Sequence, residues 1–274
     1  MFVKICGITN EEDALLAVAL GADCLGFNFV PGSVRRITPN TAQAIVRRLP
    51  HGTVSVGIFK NESPEKIVST VTQCGLSGAQ LHGREPVSEV RWIRKRLPFV
   101  IQAYSADDPQ LPSASNSPAD ILLLDASTPG SGNVFDWRLA TNAPSGVRLM
   151  IAGGLNPENV SQAIEQLSPY GVDVATGVES SPGKKDAKKM QKFISLAKDL
   201  SKASKDEYSI AGQERVSSDS YDDGSNISRS ERLRSTERGI SSIHQAESEA
   251  YQYHPLKKNE IFTSAIYDWA DDGE

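Results

Sequence analysis

The chain has few cysteines, no long apolar run and no excess of basic residues. Its 274 residues include three cysteines. The number is odd and no C-x-x-C pair occurs, so neither a disulfide framework nor a metal site is predicted. No apolar run approaches the roughly 18 residues that a membrane span requires, and residues 2–5 form a strand-like start rather than a signal peptide. We therefore expect a soluble, cytoplasmic protein with no membrane partner.

Charge is divided unevenly along the chain. Residues 201–274 contain 9 Lys or Arg and 15 Asp or Glu, whereas residues 1–200 contain 20 and 19. This near-neutral body lacks the basic face that nucleic acid binding needs, so no nucleic acid partner is expected. Apolar runs become rare after residue 200, which predicts a folded domain at 1–200 and a Ser-rich, acidic, mostly disordered tail at 201–274. Within the tail, residues 201 to about 258 predict disorder or a marginal helix around 230–249. The aromatic segment 261–269 is either a docking segment for a protein partner or for the chain's own domain, or an appendage without a role.

Eight short apolar runs alternate with helical patterns in the first 200 residues. The runs lie at 2–8, 24–29, 54–59, 78–82, 99–104, 121–126, 148–153 and 172–176. The helical patterns lie at 11–20, 41–49, 64–74, 87–97, 135–140, 157–167 and 186–200, with start signals at Asn10, Ser63 and Asn156. Segment 105–119 predicts a loop or a degenerate helix. Strands that are apolar throughout need a parallel sheet covered by helices. The predicted fold is therefore α/β, a single (β/α)8 TIM barrel, with a doubly wound open sheet as the structural alternative.

Two residues at strand ends could exchange protons with a substrate. In a barrel the loops that follow the strands open onto one rim, where the chemistry lies. Cys6 ends the first strand, and Lys4 shares its face, so a lowered thiol pKa and a role as a base are expected. Asp125 follows four apolar residues, which should raise its pKa and suit it to be a general acid. The alternatives are a small buried cysteine and an aspartate that caps a loop.

Glycines follow the last two strands. Gly153 and Gly154 come after the seventh strand, and Thr176 and Gly177 come after the eighth. Each pair alone fits an ordinary turn. Barrel enzymes often hold a phosphate between these two loops by backbone amides, so the two pairs together predict a phosphorylated small-molecule substrate.

Ordered sequence blocks identify a family. They are Lys4-Ile5-Cys6-Gly7-Ile8-Thr9, Gly21-Ala22-Asp23 with Gly26-Phe27 and Phe29, Ser33-x-Arg35, Val56-Gly57-Ile58-Phe59, Gln80-Leu81-His82-Gly83, Leu123-Leu124-Asp125, Phe135-Asp136-Trp137, Ala152-Gly153-Gly154-Leu155 with Asn159-Val160, and Gly177-Val178-Glu179 with Pro182-Gly183-Lys184-Lys185-Asp186. Over residues 3 to about 198 the chain resembles phosphoribosylanthranilate isomerase of tryptophan biosynthesis. The tail has no counterpart in that family.

The resemblance implies a cofactor-free Amadori rearrangement of N-(5-phosphoribosyl)anthranilate to 1-(2-carboxyphenylamino)-1-deoxyribulose 5-phosphate. By resemblance Asp125 protonates the ribose ring oxygen, Cys6 removes the proton from C2 of the sugar, and Arg35 pairs with the anthranilate carboxylate. The residues expected to complete the substrate site are His82, Gly153, Gly154, Thr176 and Gly177. A histidine satisfied within the core is the alternative for His82.

The chain departs from the family pattern in a few places. Pro129 stands in a loop that is usually Gly-rich, Ala175-Thr176 replaces Ser-Ser, and Arg36 replaces a common aromatic residue. These changes bear on loop motion and substrate affinity rather than on the catalytic groups. Two other functions stay open. One is another phosphosugar barrel, such as an epimerase or the histidine-pathway isomerase, which has an aspartate in place of Cys6. The other is a barrel that serves as a scaffold. The sequence is compatible with a monomer or a homodimer.

Overall fold

The computed structural model describes residues 1–125 and 143–214, with side chains up to residue 200. Met1–Lys205 form one compact unit. The helix expected at 135–140, the marginal helix at 230–249 and the segment 261–269 lie outside the described residues. The domain boundary at residue 200 stays a prediction. Among the described residues, no helix is long and apolar enough to cross a membrane.

Eight parallel strands form a closed barrel in chain order, in which the last strand pairs with the first. Their bounds are β1 Phe2–Cys6, β2 Cys24–Asn28, β3 Val54–Phe59, β4 Gly78–Leu81, β5 Phe99–Ser105, β6 Ile121–Asp125, β7 Leu149–Ile151 and β8 Gly171–Val174. The predicted (β/α)8 barrel is confirmed and the open sheet is excluded, because β1 is hydrogen-bonded to both β2 and β8. Most strands are one to three residues shorter than predicted, since side-chain pattern does not reveal where ladder pairing stops.

Helices cover the outside of the barrel. Their bounds are α1 Glu11–Ala19, α2 Pro39–Val46, α3 Pro64–Cys74, α4 Val87–Arg94, α5 Val160–Leu167 and α6 Ala187–Glu214. A 3-10 helix at Leu111–Asn116 fills the connection where a degenerate helix was expected. After β8 come a 3-10 turn at Thr176–Val178 and a small antiparallel pair, β9 Glu179–Ser181 and β10 Lys184–Lys185.

The predicted helix starts are right in two cases of three. Asn10 caps α1, since its side chain accepts a hydrogen bond from the Asp13 N–H at 2.8 Å. Ser63 occupies the cap position of α3, but its side chain makes no capping hydrogen bond. The start expected at Asn156 is wrong, because its side chain accepts from the Glu158 N–H in a local turn, and Asn159 occupies the cap position of α5 without a side-chain capping hydrogen bond.

The period of two along the strands divides the core into two layers. Val3 and Ile5 of β1 join the large cluster between the barrel and the helices. The smaller cluster fills the barrel itself and consists of Cys24, Val54, Val56, Phe99, Ile101, Ala103, Ile121, Leu123, Met150 and Ala152. Polar side chains replace apolar ones inside the barrel at Lys4, Gln80 and Asp173, all of them buried. Because buried polar groups are costly unless paired, these positions mark a site rather than a packed core.

Candidate active site

A cavity of about 280 Å³ opens at the carboxyl ends of the strands. All eight residues predicted for the site line it: Cys6, Arg35, His82, Asp125, Gly153, Gly154, Thr176 and Gly177. They come from six different strand ends or following loops, and closure of the barrel brings them together. The structure therefore places the predicted thiol, carboxyl group and glycines around one space.

Lys4 and Asp173 form a buried ion pair in the barrel beneath this cavity. The Lys4 Nζ donates to Asp173 Oδ1 at 2.9 Å, and the Lys4 side chain is fully buried. Burial alone would lower the pKa of Lys4, but Asp173 and the thiols of Cys6 and Cys24 raise it overall. Lys4 is therefore a permanent cation within the barrel.

The expected lowering of the Cys6 pKa is wrong for the free protein. Burial raises the pKa of the Cys6 thiol most strongly, and Asp173 raises it further. Lys4 and Lys185 lower it by less, so the net direction is upward. The sequence shows the cation that lowers the thiol pKa. It does not show the desolvation that raises it, because the desolvation depends on the closed barrel. At neutral pH Cys6 is therefore mainly a thiol.

Asp125 lies next to His82, which follows β4, and His82 in turn lies next to Gln80 of β4. His82 Nε2 lies 3.4 Å from Asp125 Oδ2, and His82 Nδ1 lies 3.4 Å from Gln80 Nε2. Burial first, and then the positive charges of Lys4 and Lys60, lower the pKa of His82 to about 4. The imidazole next to Asp125 is therefore neutral at neutral pH, and its 3.4 Å contact with the carboxyl group is not an ion pair.

Arg35 is held by a buried carboxylate. Its Nε and Nη2 donate to the two oxygens of Glu179 at 2.7 and 2.8 Å, and Nη2 also donates to Thr176 Oγ1 at 3.0 Å. Glu179 accepts a further hydrogen bond from Lys185 Nζ at 3.0 Å, and Lys185 also donates to the carbonyl of Cys6 at 2.6 Å. This Arg35–Glu179–Lys185 cluster joins the loop after β2, the segment after β8 and the end of β1.

At two glycines of the site, neighbouring atoms lie where a Cβ atom would be. Gly7 has φ +73°, and a Cβ there would lie 2.4 Å from Cδ of Arg35, so the arginine lies across the bare glycine. A Cβ at Gly177 would lie 1.9 Å from the carbonyl oxygen of Leu155, where the loops after β7 and β8 touch. The two loops predicted to hold a phosphate are thus in contact.

Sequence reasoning missed several residues of this site. Gln80 and Asp173 line the cavity, and Glu179 with Lys185 holds Arg35. A signal was present in two cases. Gln80 lies two positions before His82 on the same strand face, and Asp173 interrupts the apolar run of β8. The Glu179 contact spans 144 positions, and no local pattern predicts it.

The fold and site together define a (β/α)8-barrel enzyme with a thiol, a carboxyl group and a glycine-lined loop pair at its mouth. A family model described as N-(5′phosphoribosyl)anthranilate (PRA) isomerase matches residues 3–196. The chain belongs to this family, and it is an isomerase of tryptophan biosynthesis, as the sequence predicts.

Individual relatives agree with this assignment. An N-(5′-phosphoribosyl)anthranilate isomerase from Desulforudis audaxviator is 46% identical over 201 residues, which are 72% of this chain and 98% of the relative. The crystal structure of the phosphoribosyl anthranilate isomerase from Thermus thermophilus matches with a TM-score of 0.69 and 42% identity, over 73% of this chain and 100% of that one. Another crystal structure holds such an isomerase in complex with reduced 1-(o-carboxyphenylamino)-1-deoxyribulose 5-phosphate. It matches with a TM-score of 0.64 and 41% identity, over 72% of this chain and 98% of that one.

Proposed function

We propose that this chain converts N-(5-phosphoribosyl)anthranilate to 1-(2-carboxyphenylamino)-1-deoxyribulose 5-phosphate with Asp125 as general acid and Cys6 as base. The observation that carries the assignment is that both groups line one cavity at the mouth of the barrel. An acid and a base at the carboxyl ends of two different strands can act on two atoms of one bound sugar without moving.

Asp125 acts first in this proposal. It gives its proton to the ribose ring oxygen, the bond between C1 and that oxygen breaks, and a protonated Schiff base forms between C1 and the anthranilate nitrogen. Asp125 is 8% exposed and lines the cavity. A carboxyl group that lines the substrate cavity can serve as a general acid.

Cys6 acts second. After its own proton has passed to solvent, the Cys6 thiolate removes the proton from C2 and becomes a thiol again, the electrons of the C2–H bond neutralise the Schiff base, and the resulting enolamine tautomerises to the aminoketose. The thiol pKa is raised in the free protein. The positive charge of the protonated Schiff base would lower it when the base is needed, because a nearby cation favours the thiolate. Lys4 contributes in the same direction throughout.

Arg35 is proposed to bind the anthranilate carboxylate through its remaining donors. Glu179 accepts from Nε and from Nη2, and Thr176 accepts the other hydrogen of Nη2, so the group that stays available among the described contacts is Nη1. Nη1 is a charged donor held in a fixed direction by Glu179. The full planar fork expected from the sequence is therefore shared between Glu179 and the substrate.

The phosphate is assigned to the loops after β7 and β8. Within the part of the chain that the structure describes, the amides of Gly153 and Gly154 donate to no protein acceptor. Thr176 and Gly177 face them across the contact with Leu155. Backbone N–H groups that converge without partners are suited to a phosphate.

Four further properties stay predictions. The cytoplasmic location, the choice between monomer and homodimer, the absence of a bound cofactor and a protein partner for residues 201–274 rest on sequence alone. Turnover by the purified protein would exclude the alternative that the barrel serves only as a scaffold. The histidine-pathway substrate is disfavoured by Cys6, because an aspartate occupies that place in the isomerase that uses it.

The test is the loss of anthranilate fluorescence when purified protein is added to freshly made phosphoribosylanthranilate. We expect turnover by the wild type, and a loss of about 10²- to 10⁴-fold in kcat for Asp125→Asn, which is the typical contribution of a general acid. Asp108→Asn, at a half-buried position in the turn after β5 and outside the cavity lining, is the matched control and should be fully active. An active Asp125→Asn protein would exclude the acid assignment.

A further inference from the structure

Gln80 carries a buried oxygen that the protein leaves without a partner. The side chain is 2% exposed and lines the cavity, and its Oε1 is the only buried side-chain oxygen or nitrogen without a hydrogen bond among the described residues. Native proteins rarely leave such an atom unpaired unless a ligand or another function uses it.

The other end of the same amide faces His82. Its Nε2 lies 3.4 Å from His82 Nδ1. An amide NH2 can only donate, so Nδ1 must be the acceptor and therefore lacks a proton. A neutral imidazole carries one proton, which leaves it on Nε2.

The nitrogen that carries this proton lies near the proposed general acid. His82 Nε2 lies 3.4 Å from Asp125 Oδ2. Both distances are long, and contacts between catalytic groups often tighten only when a substrate binds. With the proton on Nε2, His82 donates to Asp125 and stabilises the carboxylate that remains after the acid has given up its proton. With the proton on Nδ1, His82 would instead accept from the protonated acid and hold the proton back.

We propose that Gln80 is a positioning residue for the isomerisation: its Nε2 keeps His82 in the tautomer that donates to Asp125, and its Oε1 accepts a hydrogen bond from a hydroxyl group of the bound sugar. This rests on the acid role proposed for Asp125. Such an arrangement ties the binding of the sugar to the orientation of the acid, because one planar amide makes both contacts.

A matched control lies on the neighbouring strand. Gln102 of β5 is also a buried glutamine, but its Oε1 accepts from Ser117 at 2.5 Å and its Nε2 donates to the carbonyl of Glu85 at 3.3 Å. Gln102 does not line the cavity. Replacing either glutamine by methionine removes an amide from the interior at nearly constant volume, and only Gln80 should affect His82.

The experiment measures the tautomer of His82 directly by 15N NMR of histidine-labelled, full-length protein. The chain has four histidines, and the signals of His82 are identified by their loss in His82→Asn. We expect a protonated Nε2 and an unprotonated Nδ1 in the wild type and in Gln102→Met. Gln80→Met should give a mixture of tautomers. Gln80→Glu should put a proton on Nδ1, because a carboxylate there can only accept.

Kinetics supply the second readout. Gln80→Met should raise KM about five- to tenfold and lower kcat about tenfold, the effect of losing one hydrogen bond to substrate and one to the catalytic group. Gln102→Met should change neither by more than twofold. A wild type with the proton on Nδ1, or a Gln80→Met protein that matches Gln102→Met in both spectrum and kinetics, would overturn the proposal. The NMR result is obtained on the resting protein, so it stands or fails separately from the acid role of Asp125.

Discussion

Glu179→Gln tests whether the Arg35–Glu179–Lys185 cluster supports the fold as well as the site. The Glu179 carboxylate is 7% exposed and accepts three charged hydrogen bonds, two from Arg35 and one from Lys185. The glutamine keeps the shape and one oxygen acceptor but removes the negative charge. It leaves the buried Lys185 ammonium beside Arg35 with no carboxylate between them.

The size of the effect follows from that loss. Removing one partner of a buried ion pair costs about 3–5 kcal/mol, and the retained acceptor places this variant at the lower end, at about 3 kcal/mol. For a domain of this size we expect Tm to fall by about 6–12 °C. KM should also rise, because Arg35 loses the group that sets its direction. Urea denaturation followed by circular dichroism measures the free energy of unfolding.

The pH dependence adds an independent check. Burial raises the pKa of Glu179, but the hydrogen bond from Arg35 and the charge of Lys185 outweigh it, so the pKa is lowered. A carboxyl group with a lowered pKa in the folded state stabilises the protein above its unfolded pKa, about 4.3, and this stabilisation is lost as the pH falls. The difference between wild type and Glu179→Gln should therefore be full above about pH 5 and shrink in more acidic solution.

Glu158→Gln is the control for the same substitution. Glu158 makes an exposed ion pair with Lys192 at 3.2 Å, and exposed pairs contribute little. Its free energy of unfolding should match that of the wild type. If Glu179→Gln also lies within about 0.5 kcal/mol of the wild type, the cluster does not stabilise the fold and the reasoning from burial is refuted.

Two further predictions concern the mouth of the barrel. Gly7→Ala should raise KM at least about tenfold, because the new Cβ would displace Arg35. Gly32 has a similar positive φ with open space around it, so Gly32→Ala measures the effect of backbone strain alone. Equal kinetics for the two variants would contradict the role of the contact between Gly7 and Arg35. Alkylation of Cys6 by iodoacetamide should accelerate about tenfold per pH unit between pH 7 and 9, because its pKa is raised. Lys4→Met should slow alkylation further at each pH, and a rate that is flat with pH would show that the thiolate is already formed.

The order of elements was readable from the sequence because the signals are local. Eight apolar runs separated by helical patterns are enough to predict a parallel sheet covered by helices, and the short strands between turns place Cys6 and Asp125 at strand ends. The glycines at 153–154 and 177 were recognised for the same reason. Errors fell where a boundary depends on pairing, as at Asn156, where the side chain closes a local turn and the helix begins three residues later.

The pKa shifts and ion pairs of the site could not be predicted from the sequence. The neighbourhood of Lys4 and Cys6 was visible from the period of two, but the sign of the thiol's pKa shift was not, because desolvation by the closed barrel exceeds the effect of the cation. The cluster around Glu179 joins residues that are 144 positions apart. The unpartnered oxygen of Gln80 likewise has meaning only once every neighbouring donor has been placed.

The sequence alone therefore determined the barrel, the family and the chemical groups at its mouth, since these follow from residue type and local spacing. Only the tertiary structure decided which groups face each other, which charges are buried and which donors of Arg35 remain for a substrate. The physical reason is that burial and pairing energies depend on three-dimensional distance, and closing the barrel brings into contact residues that the chain holds far apart.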